Sequence, residues 1–374
     1  MRARLTPQPG IHLEALRRYA IRRTLFTPTT LPRALARLGF VQMDPIRAPA
    51  RAQDLVLRHR VKGYCAGDLE ARYARLDVQE DFFVNYGVLT SQAQALMHPR
   101  VAAKVWSAER SAQAEAILAF VVAQRVVHPR EVNQAFEHGQ ARNWFGGRSH
   151  ASTQLLDEMH YRGLLRIARR ESGIRCYALP TAVWRDDPVD QRLDALIDLM
   201  VNLYAPLPAS SLVQLVAHLR NGVPQWREHL TAGKQRVVQR LSSAMVDGQR
   251  WFWPADESPA VWRERADDRV YLLAPFDPLV WDRKRFELFW HWAYRFEAYL
   301  PAKQRERGYY ALPMLWREQV IGWANLSVVG GRLSAELGFV ANRPSERAFA
   351  DALDAELQRV ASFLRVADHV AEPR

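Results

Sequence analysis

An amide and a carboxylate, Gln42 and Asp44, are the residues of this sequence whose types and spacing best suit chemistry. They are two positions apart in an extended segment, where side chains at i and i+2 lie on one face. We therefore expect Gln42 and Asp44 to project together, with Val41 and Met43 turned into the core. A polar pair of this kind serves either a catalytic site or the polar side of an edge strand, and the pair alone leaves both interpretations open.

The other familiar catalytic patterns are missing from the sequence. There is no HExxH motif, no Cys/His cluster, no glycine-rich phosphate loop and no GxSxG motif. No metal site is therefore predicted, and Cys65 and Cys176 are too far apart to suggest one. One reaction needs little more than a carboxylate and an amide, namely hydrolysis of an N-glycosidic bond through a cationic, oxocarbenium-like sugar.

The charge of the chain favours a nucleic-acid partner. The net charge is +12, and 47 of the 52 basic residues are arginine, which makes bidentate contacts to phosphate and guanine. A genome rich in G and C, which favours arginine codons, is the alternative explanation. The N-terminus has no apolar segment typical of a signal peptide and the sequence has no long apolar run, so we expect no membrane association. The two separate cysteines fit a cytoplasmic protein, and a monomer is expected.

The elements around Gln42 and Asp44 follow a helix–helix–strand order. Residues 12–26 and 30–39 have helical patterns, with Thr30 as the N-cap of the second helix and Gly39 at its end. Residues 53–61 are expected to be helical as well. This order is typical of the start of a winged helix, although other folds share it.

A second, clearer pattern lies between residues 127 and 188. A short helix at 129–136, a turn at 143–148, a second helix at 149–163 and two strands joined at 171–173 predict a winged helix-turn-helix unit with an arginine-rich wing. Such units also serve as protein-docking modules. A weaker copy of the same order follows at 189–265.

The last part of the chain changes character. Residues 266–374 alternate apolar and turn segments before a final amphipathic helix at 344–364, which predicts a small antiparallel β-barrel. Residues 301–310 are expected to form a basic hairpin tip between two of its strands. The predicted fold is therefore mainly α with small β elements (α+β). We expect the chain to divide into four consecutive segments. The first, 1–126, carries the Gln42/Asp44 pair and scaffold helices, and the others are 127–188, 189–265 and 266–374.

The segment Val41-Gln42-Met43-Asp44-Pro45-Ile46-Arg47-Ala48-Pro49-Ala50-Arg51 resembles the Gln-x-Gln or Gln-x-Asp motif of bacterial winged-helix DNA glycosylases that unhook interstrand crosslinks. The resemblance extends over most of the chain and includes residues 80–87, 275–283 and 308–313. With its aspartate, the segment resembles the Gln-x-Asp branch of that family. The resemblance implies tandem winged helices, a small β-barrel and a hairpin that probes DNA.

The implied activity is monofunctional glycosylase action, without metal or cofactor, on duplex DNA carrying alkylated or crosslinked purines. Gln42 and Asp44 take the catalytic roles by motif match, with N7-alkylated guanine as the leaving base. The alternatives are a winged-helix transcription regulator and a protein-interaction scaffold, neither of which needs this pair. The candidate DNA contacts are Arg47, Arg51, Ser152, Gln154, Arg169, Arg170, Lys303, Arg305 and Arg307.

Overall fold

Helices and strands are interspersed along the whole chain, which confirms the predicted α+β class. The computed structural model describes residues 11–103, 105–136, 139–142, 148–181, 186–261 and 267–373. Within these, the chain forms two compact units from discontinuous stretches. Unit 1 contains Met1–Asp68, Ile197–Leu215 and Lys234–Arg374, and unit 2 contains Leu69–Leu196 and Val216–Gly233. The division into four consecutive segments stays a prediction.

Most of the helices and strands are short. In chain order, the helices are α1 (Leu13–Thr24), α2 (Leu31–Leu38), α3 (Ala52–Leu57), α4 (Asp68–Arg72), α5 (Ser91–Met97), α6 (Ala108–Gln124), α7 (Pro129–Ala135), α8 (Ala151–Tyr161), α9 (Val189–Tyr204), α10 (Ala209–His218), α11 (Leu230–Arg240), α12 (Pro278–Trp281), α13 (Arg283–Trp290) and α14 (Arg347–Leu364). The strands are β1 (Phe40–Gln42), β2 (Val78–Phe82), β3 (Tyr86–Thr90), β4 (Val126–Val127), β5 (Gln140–Arg142), β6 (Arg148–His150), β7 (Arg166–Glu171), β8 (Ile174–Ala178), β9 (Leu207–Pro208), β10 (Ser242–Val246), β11 (Gln249–Trp253), β12 (Val270–Leu272), β13 (Leu312–Trp316), β14 (Gln319–Val329), β15 (Arg332–Phe339) and β16 (Ala367–Pro373).

Helix α2 leads directly into the candidate catalytic strand, as the sequence predicts. Thr30 occupies the N-cap position, a proline follows within the first turn, and the helix ends at Gly39 with φ of 70°. That backbone region strains residues that carry a Cβ, and a Cβ here would also lie 3.1 Å from Leu199. Gly39 therefore lets the chain turn sharply from α2 into β1.

The main sheet of unit 1 has the strand order β12-β13-β14-β15-β16. Its first four strands pair antiparallel, and β16 adds parallel to β15. Helix α14 buries Phe349, Leu353, Leu357 and Val360 along one side, which fits the predicted closing helix. The closure of this sheet into a barrel stays a prediction.

The basic hairpin tip expected at residues 301–310 is wrong. This segment contains a short 3-10 turn, Ala302–Gln304, and belongs to the long connection from β12 to β13 that also contains α12 and α13. The hairpins of this sheet are β13–β14, which turns at Arg317 and Glu318, and β14–β15, which turns at Gly330 and Gly331. Apolar and turn residues alternate in both places, so periodicity alone did not distinguish a connection from a hairpin.

Unit 2 contains the antiparallel strand pair that was expected to form a wing. Strands β7 and β8 pair antiparallel around Ser172 and Gly173, both with positive φ, and β4 pairs with β8. The elements α6, β4, α7, α8, β7 and β8 recur in type and order as α9, β9, α10, α11, β10 and β11. The β5–β6 pair is inserted in the first set only. Of the turn predicted at 143–148, residues 143–147 lie outside the described residues.

Two adjacent acids organise the core of unit 2. The carboxylate of Glu80 accepts hydrogen bonds from Arg170 at 2.6 and 2.7 Å, and Asp81 contacts His98 at 2.7 Å and Arg100 at 2.9 Å. Both acids are essentially fully buried. The Glu80–Arg170 pair links the β2–β3 hairpin to β7, and Asp81 links the same hairpin to the segment after α5. None of the described helices is long and apolar enough to span a bilayer.

Candidate active site

Gln42 is the last residue of β1 and is buried, with 6% of its surface exposed. The strand ends there, so Asp44 lies in the following turn, where its Oδ1 accepts a hydrogen bond from the Ile46 amide at 2.9 Å. The regular strand therefore ends before Asp44, and the projection of Gln42 and Asp44 to one face stays a prediction. Pro45 disfavours continuation of regular pairing, and the aspartate side chain bonds its own backbone instead.

The Gln42 side chain is fixed by a tryptophan that is distant in sequence. The indole Nε1 of Trp281 donates a hydrogen bond to Gln42 Oε1 at 2.8 Å. With the amide oxygen facing the indole, the NH₂ end of Gln42 is the end that can donate to a substrate or water. The tryptophan ring in turn lies 5.2 Å from the buried ring of Tyr204.

Trp281 is held in place by a buried ion pair. It ends helix α12, whose N-cap Asp277 accepts from the Leu279 amide at 3.1 Å. The same carboxylate receives two hydrogen bonds from Arg60, at 2.8 and 3.0 Å, and neither side chain is exposed. Asp277 thus caps the helix and anchors it to the segment after α3, which sets where the indole can lie.

Asp44 is a carboxylate with unusual electrostatics. Its oxygens have no cationic partner among the residues that the structure describes, and burial raises the pKa of this carboxyl, while the Ile46 amide lowers it by less. A partly desolvated carboxylate is a better proton acceptor than one in water. The arrangement therefore suits Asp44 to bind a cation or take a proton from water.

Aromatic side chains lie near Asp44. Burial, followed by the negative charge of Asp44, raises the pKa of both Tyr299 and Tyr310. Phe296 contacts the two tyrosines, at ring distances of 5.8 and 5.3 Å, and Phe276 at 5.2 Å. Tyr310 is buried, whereas Tyr299 has 70% of its surface exposed, so the group offers one exposed ring for stacking.

A cleft of about 710 Å³ begins three residues after Asp44. One side comes from residues 47–49, where Arg47 and Arg51 form an isolated antiparallel bridge that closes a tight loop. The other side comes from β14, β15 and the residues before β13. The lining includes Arg47, Pro49, Tyr309, Tyr310, Asn325 and Glu336. This volume is within the range of small-ligand sites.

The predicted DNA contacts of unit 1 differ in how accessible they are. Arg47 and Lys303 are exposed, and Arg51 is half-buried. Arg305 donates to the Leu300 carbonyl at 2.9 Å and lies over the Tyr309 ring. Arg307 lies 3.3 Å from Glu306 and 3.8 Å from Glu297. Of these five, Arg47 and Lys303 are thus the most accessible to phosphate.

The predicted contacts of unit 2 are more restricted. Ser152 has 1% of its surface exposed, and Gln154 is half-buried. Arg170 is held by Glu80, and Arg169 pairs with Glu171 at 2.7 Å on the surface. The wing pattern placed these residues on α8 and β7 correctly, but it did not reveal that Ser152 faces the core and that Arg170 serves an internal pair.

The residues that sequence reasoning missed are aromatic. Trp281 and Tyr310 fall in the segments 275–283 and 308–313 that carried the resemblance, yet nothing local indicated that they approach Gln42 and Asp44. Both contacts join positions more than two hundred residues apart. No cluster of three or more His, Cys, Asp or Glu suited to a metal occurs within the described ranges.

Two comparisons relate the chain to known proteins. The family model described as "DNA glycosylase AlkZ-like" matches residues 35–363. The solved structure of Streptomyces sahachiroi DNA glycosylase AlkZ is similar in fold, with a TM-score of 0.63 and 14% sequence identity over 98% of this chain and 100% of that one. The family match spans both the Gln42/Asp44 segment and Trp281. The chain therefore belongs to the AlkZ-like family of DNA glycosylases.

Proposed function

We propose that this DNA glycosylase hydrolyses the N-glycosidic bond of N7-alkylated guanines and so unhooks interstrand crosslinks. The observation that carries the proposal is the half-buried Asp44 carboxylate, which has no cationic partner among the described residues and lies beside aromatic rings and a cleft. A carboxylate in this state stabilises positive charge on a sugar better than a paired one does. The Gln-x-Asp sequence supports the crosslink-repair branch of the family.

The proposed reaction needs one water and no acid. The C1′–N9 bond breaks, and its electron pair neutralises the cationic N7-alkylguanine, which leaves as a neutral base. The sugar becomes oxocarbenium-like and is stabilised by Asp44. Water attacks C1′, its proton passes to Asp44 and then to solvent, and an abasic site remains. Gln42, oriented by Trp281, positions the water or the deoxyribose through its NH₂ group.

Several features support binding to duplex DNA. The net charge is +12, and the repeated element order of α6–β8 and α9–β11 is compatible with tandem winged helices. The β14–β15 tip carries exposed Val328 and Val329, with 44% and 66% of their surfaces accessible. Apolar side chains on a protruding hairpin suit entry into a DNA groove. We assign the DNA-probing role to this tip in place of residues 301–310.

An assay on damaged duplex tests the proposal. The protein is incubated with one duplex carrying a single N7-methylguanine and another carrying a nitrogen-mustard crosslink, and both are then treated with alkali. We expect strand breaks at the lesion and conversion of the crosslinked duplex to single-strand products, with undamaged duplex intact. Asp44→Asn protein serves as the negative control. Tight, sequence-selective binding without any base release would favour the regulator interpretation instead.

A further inference from the structure

One tyrosine beside the candidate active site is largely exposed. Tyr299 has 70% of its surface accessible, and partial burial, followed by the charge of Asp44, raises its pKa. Among the described residues its ring contact is with Phe296, at 5.8 Å and an interplanar angle of 78°. An edge contact of this kind covers less of a ring than stacking does, so most of the Tyr299 ring is accessible to a ligand.

Phe296 connects this exposed ring to the cleft. The Phe296 ring lies 5.3 Å from the ring of Tyr310, which lines the cleft together with residues 47–49. Those residues begin three positions after Asp44. The exposed ring, the cleft and the carboxylate therefore lie in one region of unit 1.

The two exposed tyrosines of this region differ in their cationic neighbours. Arg305 donates from Nε to the Leu300 carbonyl at 2.9 Å, and its guanidinium lies 4.9 Å from the centroid of the Tyr309 ring. Tyr309 is 43% exposed. No guanidinium or ammonium group in the described part of the chain lies over Tyr299. Tyr309 thus already has a cation beside it, whereas Tyr299 is available to a cation from outside the chain.

A positively charged base matches the surroundings of Tyr299. Alkylation at N7 gives guanine a positive charge on the imidazole ring of the purine, whereas unmodified guanine is neutral. The face of a tyrosine ring attracts cations. Asp44, which has no cationic partner among the described residues, attracts the same charge. Both groups therefore favour the alkylated base over a neutral base of the same shape.

We propose that Tyr299 stacks on the N7-alkylated guanine and selects it by its positive charge. The charged ring of the base lies against the tyrosine, and the sugar lies toward Asp44. The inference rests on the proposed function and deepens it, because it assigns recognition of the charged base to a residue outside the Gln-x-Asp motif.

Two duplexes that resist hydrolysis measure this selection. Both carry a 2′-fluoro sugar, which disfavours the oxocarbenium-like state, and they differ only in the base, N7-methylguanine or its neutral analogue 7-methyl-7-deazaguanine. We expect the wild-type protein to bind the cationic duplex about tenfold more tightly. Tyr299→Leu should reduce this preference to about threefold or less. Tyr299→Phe keeps the ring and should retain the wild-type preference.

Tyr309→Leu is the matched control, because it removes an exposed tyrosine that already has Arg305 beside it. It should keep the wild-type preference. Measuring every variant on the same two duplexes cancels any difference in how readily the DNA itself presents each base. Tyr299→Leu should also keep the wild-type Tm, because the side chain that it removes is largely exposed.

The outcomes separate the two proposals. If the wild-type protein releases no N7-methylguanine from a hydrolysable duplex, the proposed function is wrong. If it releases the base but binds both probes equally, or if Tyr299→Leu keeps the wild-type preference, the stacking inference alone is overturned. Equal losses in Tyr299→Leu and Tyr309→Leu also overturn it. Loss of the preference in Tyr299→Leu, with its retention in Tyr299→Phe and Tyr309→Leu, supports the inference.

Discussion

The proposed chemistry depends on two residues, Gln42 and Asp44, and on what surrounds each of them. Partial burial raises the pKa of Asp44, and one indole hydrogen bond orients Gln42. Neither residue is unusual by type, and both occur in ordinary strands and turns. Their environment, supplied by α12 and by the segment around Tyr310, is what favours the catalytic interpretation over the polar edge of a strand.

The raised pKa of Asp44 makes a prediction about pH. The carboxylate must be ionised to act, so activity should fall on the acid side at a pH above that at which an exposed carboxyl titrates. Asp44→Asn should reduce kcat by about 100-fold or more and abolish this acid limb. A pH profile of single-turnover rates checks both, and an unchanged acid limb in the variant would assign it to another group.

The raised pKa of Asp44 also predicts that its ionised form, which activity requires, lowers the stability of the fold. A carboxyl whose pKa is higher in the folded than in the unfolded state opposes folding once it ionises. The penalty is absent below the unfolded pKa and is complete above the folded one. Asp44→Asn should therefore have an equal or higher Tm than wild type at neutral pH, with the difference shrinking as the pH falls. Thermal melts at several pH values measure this, and a large drop in Tm would instead give Asp44 a structural role.

Trp281 is predicted to act through Gln42. Trp281→Phe keeps an aromatic ring but removes the hydrogen bond to Gln42 Oε1, so kcat should fall by about tenfold, as expected for the loss of one positioning contact, with little change in DNA affinity. Trp316→Phe is the matched control, because the indole of Trp316 donates to the Asp268 carbonyl, at 3.1 Å, and not to Gln42. Equal losses in the two variants would mean that Trp281 matters only for packing.

At the scale of elements, the buried pair Arg60–Asp277 anchors the N-terminus of α12. Asp277→Asn leaves a buried guanidinium without its counter-charge and should lower the free energy of unfolding by about 3–5 kcal/mol. Glu346→Gln, which breaks an exposed pair with Arg317 at 2.9 Å, should change it by no more than about 1 kcal/mol. Urea denaturation followed by tryptophan fluorescence compares them, and similar values for both variants would contradict this account of α12.

Individual helices and turns were predictable from the sequence, whereas the contacts between residues far apart in the chain were not. Helix α2 with Thr30 and Gly39, and the turn at Ser172 and Gly173, follow from short-range capping and backbone rules. The 301–310 segment was misassigned because a long connection and a hairpin share the same local composition. Gln42 and Asp44 were identified through resemblance to a family motif. Trp281 and Tyr299 needed the tertiary structure, because propensity carries no information on contacts so distant in sequence.

At the scale of the whole molecule, the charge of +12 predicts a strongly salt-dependent affinity for DNA. Binding to undamaged duplex should weaken with a slope in log K against log salt of about −0.9 for each phosphate contacted. Arg47→Gln should make this slope less negative by about 1. Arg317→Gln should leave it unchanged, because Asp268 and Glu346 already bind that side chain. A slope near zero for wild type would contradict electrostatic clamping of the backbone.

The discontinuity of unit 1 has a consequence for synthesis on the ribosome. Gln42 emerges early, but its hydrogen-bond partner Trp281 lies 239 residues later. A nascent or truncated chain that carries the Gln-x-Asp motif therefore lacks the groups that orient it. On the proposed mechanism, hydrolytic competence requires that α12 has been translated and folded, so an interrupted polypeptide that lacks α12 should not remove bases.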